Sequence, residues 1–255
     1  MEYFVDKSSV VRKIWGKGDT ILFIFAGASA EFALSKAVDW LYFTGRLPAD
    51  PLGRLFSTVS YARTIVFSEK DAALRSIDAM AAIHAEVEEK RGATIPDWAY
   101  RDVLFMLIDY SIRAYEVLEH KLKMDEKQEV FQVFYRVGKR MELKGLPKNF
   151  EEWEKMRQEH INQNLEHSHY TDDLFNQYRK HLGIMRYRIL LEAQILVVPK
   201  KVRELLGLRS ISLLNPLLGL YKLSRILKAD WLLKDLILPS RYKNEIKDLD
   251  QLPTR

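Results

Sequence analysis

The sequence predicts an all-α protein, a single-domain bundle of helices. Three observations predict it. Apolar residues recur at three- and four-residue steps along most of the chain, alternating strand patterns of useful length are missing, and cap residues, glycines and prolines punctuate the periodic stretches. A chain of 255 residues that is 47% hydrophobic can bury a substantial core as one domain.

Residues 1–19 close on Gly16-Lys-Gly-Asp19 and predict an N-terminal arm or short helix before a helical body spanning 20–240; residues 241–255 read as a charged C-terminal tail. Thr20 to about Thr44 is a mostly buried helical stretch. Its small residues Ala26-Gly-Ala-Ser-Ala30 admit a neighbouring backbone or a flat cofactor. Asp39, between Val38 and Trp40, is either an acid near substrate or a hydrogen-bonded structural aspartate. Gly45–Pro51 is a turn, and Asp50-Pro51 caps a helix with Leu52, Leu55, Phe56, Val59 and Ala62 on its apolar face.

Arg54 and Thr58 are one turn apart, about 6 Å along the axis, on the border of that face. They read as ligand-facing groups, or as an ordinary flanking arginine and a threonine bonding back to its own helix. Ser68, three residues before Asp71, predicts the start of the next helix. Ala73, Ile77, Met80, His84 and Val87 then form one stripe, with Glu86, Glu88, Glu89 and Lys90 outside it. An inward imidazole is held neutral by desolvation and keeps a lone pair, which suits a metal ligand; a core histidine satisfied by a carbonyl is the alternative. The two helices, joined by so short a link, should run antiparallel.

Arg91-Gly92 ends that helix and Ile95-Pro96-Asp97 begins the next. Val103, Leu104, Met106, Leu107, Tyr110, Ser111, Ala114, Tyr115 and Leu118 cover enough of its circumference to place it centrally. Asp109 within it requires a partner, such as Arg113 or a tyrosine. Asp125 caps a helix to about Met141 with Val130, Val133, Phe134 and Val137 inward. Gly145-Leu-Pro147 breaks it, and Asn149-Phe-Glu-Glu152 opens what reads as a solvated surface helix. His160, His167 and His169 match no established zinc spacing and read as surface histidines. His120 and His181 sit near helix ends.

From Tyr178 onward the character shifts, and Ile189–Val198 is a buried-type helix ended by Pro199. Lys200, Lys201, Arg203, Arg209, Lys222, Arg225 and Lys228 then accompany many leucines. Either the leucines complete the bundle, or the 200–228 region lies on an anionic membrane as a peripheral contact.

The chain has no cysteine, which excludes disulfides, cysteine zinc sites, iron–sulfur clusters and thiolate or covalently attached haem. A formal excess of five positive charges with both signs mixed predicts no nucleic-acid partner. Phosphate loops, nucleophile elbows, dinucleotide fingerprints and zincin motifs are missing from the sequence. The N-terminus carries no secretory pattern, and the apolar run Ile21–Ala30 is shorter than the about 20 residues that cross a bilayer, so the expected location is cytoplasmic.

The run Phe43-Thr-Gly-Arg-Leu-Pro-Ala-Asp50-Pro51-Leu-Gly-Arg54-Leu-Phe-Ser-Thr58, followed by Tyr61, Arg63-Thr64, Phe67 and Ile83-His84-Ala-Glu-Val87, resembles the catalytic domain of MpaB-type oxygenases and latex-clearing rubber oxygenases. The resemblance continues through Ile108-Asp109-Tyr-Ser111, Ala114-Tyr115-Glu116, Gly145-Leu-Pro147 and Leu236-Ile-Leu-Pro239. It implies an all-helical fold enclosing a non-covalent haem b, with His84 as proximal iron ligand and Arg54 and Thr58 lining the haem pocket. It also implies an oxygenase acting with dioxygen on a small apolar, isoprenoid-like substrate. Arg54 would pair with a haem propionate or steady bound oxygen. Two positions depart from the family pattern: Ser57 stands where rubber oxygenases carry a lysine, and Leu34-Ser35 where many relatives carry His-Pro. The alternatives are a non-catalytic membrane-peripheral interaction protein and a non-haem di-iron bundle, for which Glu166 and His169 supply only one of two required pairs.

Overall fold

A computed structural model describes residues 2–45 and 49–226, without the side chains of Leu52, Leu55 and residues 223–226. Residues 46–48 of the expected Gly45–Pro51 turn, the Leu236–Pro239 motif, Lys228 and the 241–255 tail lie outside the described residues. Among those described, eleven helices and two isolated β-bridges form, and no strand. The all-α expectation holds at that level.

The helix with the widest apolar circumference is the one the others pack around. In α6 (Asp97–Leu118), Leu104, Phe105, Ile108, Tyr110, Ala114, Tyr115 and Leu118 are buried, whereas Val103, expected inward, is 39% exposed. α2 (Gly18–Phe32) makes its most extensive packing with α6. The small-residue run permits this by admitting a side chain: a Cβ on Gly27 would sit 2.3 Å from Cδ1 of Tyr110. The ring occupies the space that a neighbouring backbone or flat cofactor was expected to fill.

α1 (Val10–Trp15) is the expected short N-terminal helix, but it is built into the body. Val10, Val11, Ile14 and Trp15 are buried, and the Trp15 indole donates to Ser111 Oγ at 3.2 Å. The Thr20–Thr44 stretch is helical, divided into two helices. After α2 the backbone of residues 34–36 pairs with 164–166, through Glu166 N–H to the Leu34 carbonyl (2.8 Å) and Lys36 N–H to the Asn164 carbonyl (3.0 Å). Those bonds replace helical ones, so α3 (Asp39–Phe43) starts afresh.

α4 (Pro51–Phe67) and α5 (Lys70–Arg91) pack against each other. Ser68 does not cap α5: its N–H donates to the Thr64 carbonyl and closes α4, and Glu69 is the N-cap. The Lys70 N–H finds the Glu2 carbonyl at 2.9 Å, so one orphan donor of the first turn is satisfied by the N-terminal segment. In α7 (Met124–Arg140) the N-cap is likewise Lys123, with Asp125 in the first turn and Glu126 accepting from the Lys123 N–H at 2.9 Å.

α8 (Phe150–Gln163) starts at Asn149, whose side chain accepts from the Glu152 N–H at 2.9 Å. It is not simply a surface helix, because Phe150, Trp153, Arg157, His160 and Ile161 are buried. α9 (His169–Val197) packs on α2, α6 and α4, with non-helical backbone at Gly183 (φ 72°, ψ 165°) that redirects it between these neighbours. α10 (Lys200–Leu205) and α11 (Asn215–Ile226) complete the described chain. Among the described residues no helix is long and apolar enough to cross a membrane.

Candidate functional site

The α4–α5 hairpin brings together the residues singled out by pattern. Asp50 accepts from the Gly53 N–H at 3.0 Å with Pro51 in the first turn, and Gly92 ends α5 in the left-handed region (φ 65°). Only Ser68 and Glu69 separate the two helices. Arg54 lies 13 residues before Phe67 and His84 14 residues after Lys70, so an antiparallel pair sets them at nearly the same level.

His84 sits where the buried stripe of α5 opens. Ala73 and Ile77 are fully buried, Met80, His84 and Val87 are half-buried, and Ile83 is 40% exposed. The Nδ1 atom of His84 is buried with no hydrogen-bond partner among the described residues. Burial, and secondarily the charge of Arg54, hold the imidazole pKa below its ordinary value, against a smaller opposing pull from Glu88. The ring is therefore neutral at physiological pH. The Tyr100 ring meets it edge-on at 5.3 Å and 81°, with the Tyr100 hydroxyl donating to Glu88 Oε1 at 3.1 Å. The same carboxylate oxygen accepts from the Ile95 N–H at 2.7 Å, tying the α5–α6 connection to the turn that follows His84.

Arg54 Nη1 lies 3.4 Å from both Ser57 Oγ and Thr58 Oγ1. Thr58 also donates to the Arg54 carbonyl (3.1 Å), as does Ser57 (2.9 Å). Arg54 and Thr58 thus contact each other, and the threonine bonds back to its own helix as well. Periodicity located His84, Arg54 and Thr58 but missed Tyr100 and Glu88. Glu88, four residues after His84, was the available signal.

The other candidates are structural. Asp39 pairs with Arg91 at 2.5 Å, and the Arg91 guanidinium stacks 4.0 Å from the Trp40 ring, fastening α3 to the end of α5. Asp109 accepts from Arg113 at 2.6 Å, as expected, and from Arg157 at 3.0 Å. Arg157 also bonds both oxygens of the fully buried Glu31, which accepts from the Tyr110 hydroxyl at 2.7 Å.

His160, read as a surface histidine, is buried. Its Nε2 is 3.3 Å from Glu31 and its Nδ1 lies against Asp102. Burial alone would lower its pKa, but the Asp102 and Glu31 carboxylates outweigh that and raise it. His167 is exposed and pairs with Asp172 at 2.9 Å. His169 is exposed, in the first turn of α9. Among the described residues no group of three or more His, Asp or Glu is arranged to hold a metal ion, which leaves the di-iron alternative without a ligand set there.

Among the described residues, fold and site together define an all-helical protein in which a half-buried imidazole, its Nδ1 without a hydrogen-bond partner, lies near an arginine across a hairpin. The chain matches the model for the ER-bound oxygenase mpaB/B'/rubber oxygenase catalytic domain over residues 13–225, and it belongs to that family. Neither a curated protein nor a solved structure gives a match.

Proposed function

We propose that this chain is a haem b-dependent oxygenase acting with dioxygen on a small apolar, isoprenoid-like substrate. His84 is the iron ligand, and Arg54 and Thr58 belong to the pocket. Membership of an oxygenase family supports the enzyme class. The single observation that carries the site assignment is His84, with a buried ring nitrogen left unpaired at the level of Arg54. An unsatisfied buried donor or acceptor costs about 1–3 kcal/mol, so a site that keeps one invites a ligand.

The residues present fit a haem. A neutral imidazole has a lone pair to give, as iron requires. A guanidinium held by two neighbouring hydroxyls is suited to a carboxylate such as a propionate. Bound haem would supply the dioxygen activation that no side chain here provides. The chain's own residues do the remaining work. Tyr100, steadied by Glu88, limits the orientation of the imidazole, and Met80 and Val87 present apolar surface on its stripe. Ser57, in the place of the family lysine, is exposed and bonds the Arg54 carbonyl; a hydroxyl is a poor iron ligand.

The reading is tested by the absorption spectrum of protein purified from haem-supplied cells, with porphyrin and iron measured separately. A Soret band with close to one haem per chain is expected. Folded protein with no porphyrin, or with iron and no porphyrin, would refute it.

A further inference from the structure

α9 changes direction at Gly183, and the turns after the break carry an arginine on the side turned toward the body. Arg186, Leu190, Ala193 and Val197 follow one another at four-, three- and four-residue steps, so they share one stripe. Ala193 and Val197 are buried, and Leu190 packs against the cluster of Ala33, Leu174 and Tyr178, which identifies this stripe as the inward one. Ile184 and Met185, 52% and 71% exposed, lie off it.

Arg186 is half-buried. Among the described residues its Nε is buried without a hydrogen-bond partner, and no carboxylate pairs with its guanidinium. Other arginines that enter the body are paired, Arg157 with Glu31 and Asp109, and Arg91 with Asp39. A charged donor buried without an acceptor is costly, so a position that keeps one calls for an acceptor from outside the chain. The Nε–H and the neighbouring Nη–H form the edge of a guanidinium that fits both oxygens of a carboxylate.

The surroundings select what carries that carboxylate. Leu182, Tyr187, Ile189, Leu190 and Leu191 are only half-buried, although the same helix is buried at Leu174 and Tyr178 before them and at Ala193, Ile195 and Val197 after them. Half-covered apolar side chains around one base suit a ligand with an apolar body and an acidic end. α4, which carries Arg54 and Thr58, packs against both α5 and α9, so this wall adjoins the helix of the candidate pocket.

We infer that Arg186 binds the carboxylate of an apolar ligand seated against α9. Two ligands of the proposed reaction have that chemistry, haem through a propionate and an isoprenoid acid through its head group, and the inference rests on the haem reading for the first alone. Full-length wild type and Arg186→Gln are titrated with haem and haem dimethyl ester, followed by the Soret band, and with farnesoic acid and its methyl ester, followed by calorimetry. The wild type should prefer the acid to the ester by on the order of tenfold in at least one pair, and the variant should lose that preference while its far-UV spectrum and Tm stay unchanged. Loss in the haem pair assigns Arg186 to a propionate; loss in the farnesoic pair assigns it to the substrate head group. Wild type that binds no haem refutes the haem reading and leaves the farnesoic pair to decide this one. Should Arg186→Gln misfold, Arg186→Lys takes its place, with a several-fold weaker preference expected because the planar fork is lost. A folded variant that keeps the full preference in both pairs, or a wild type that shows none in either, overturns the inference.

Discussion

Replacing Arg157 with methionine tests the buried charge cluster. The guanidinium is almost fully buried and holds both oxygens of Glu31 and one of Asp109. Burial works to raise the Glu31 pKa, but Arg157 and His160 overcome it and hold the carboxyl at about 2, from an ordinary 4.5. At about 1.4 kcal/mol per pH unit, that interval adds roughly 3 kcal/mol of stability at neutral pH. Without Arg157, Asp109 keeps Arg113, while Glu31 keeps only Tyr110 and His160. Breaking a buried pair from one side typically costs about 3–5 kcal/mol, and the same loss is expected here at pH 7.

The sign follows from the depressed carboxyl. Its contribution is present above pH 4.5 and is lost as pH falls toward about 2, so the wild type gives up about 2 kcal/mol of it by pH 3. The difference between wild type and variant should therefore shrink by at least that amount on acidification. Urea unfolding followed by far-UV circular dichroism at both pH values measures it. A loss below about 1 kcal/mol at pH 7, or one independent of pH, would refute the reasoning.

Three further outcomes follow from the same geometry. His160, with its pKa raised, contributes stability that is complete below pH 6.5 and lost as pH rises through the higher folded value; His160→Gln should flatten the alkaline fall in Tm. Gly27→Ala would push a methyl into the Tyr110 ring and should cost about 1–3 kcal/mol in urea unfolding, with a null effect meaning that the ring can step aside. Tyr100→Phe removes the hydroxyl bonded to Glu88 and should broaden or shift the spectrum of added haem while moving Tm little. A Tyr100→Phe spectrum identical to wild type would remove this residue from the site.

The hairpin was legible because its signals are local. Asp50-Pro51 caps, Gly92 stops, and the spacing of Ala73, Ile77 and His84 sets a stripe. What was not legible depends on distant partners. The Ser68 cap failed because Glu2, far away in sequence, supplies the acceptor, and the break within the 20–44 helical stretch was not legible because residues 164–166 pair with its middle. Charge misled in α8, where Arg157 and His160 count as polar yet share a face with Phe150, Trp153 and Ile161. That apolar spacing was the available clue, and the carboxylates of Glu31, Asp102 and Asp109 that make their burial tolerable come from other helices.

The central claim, that His84 binds haem iron, is tested most directly by titrating apo-protein with haem and following the Soret band in wild type and His84→Ala. Saturation at one haem per chain in the wild type, with the histidine-ligated spectrum lost in a folded variant, is the predicted result. Equal affinity and identical spectra in the two proteins would contradict it.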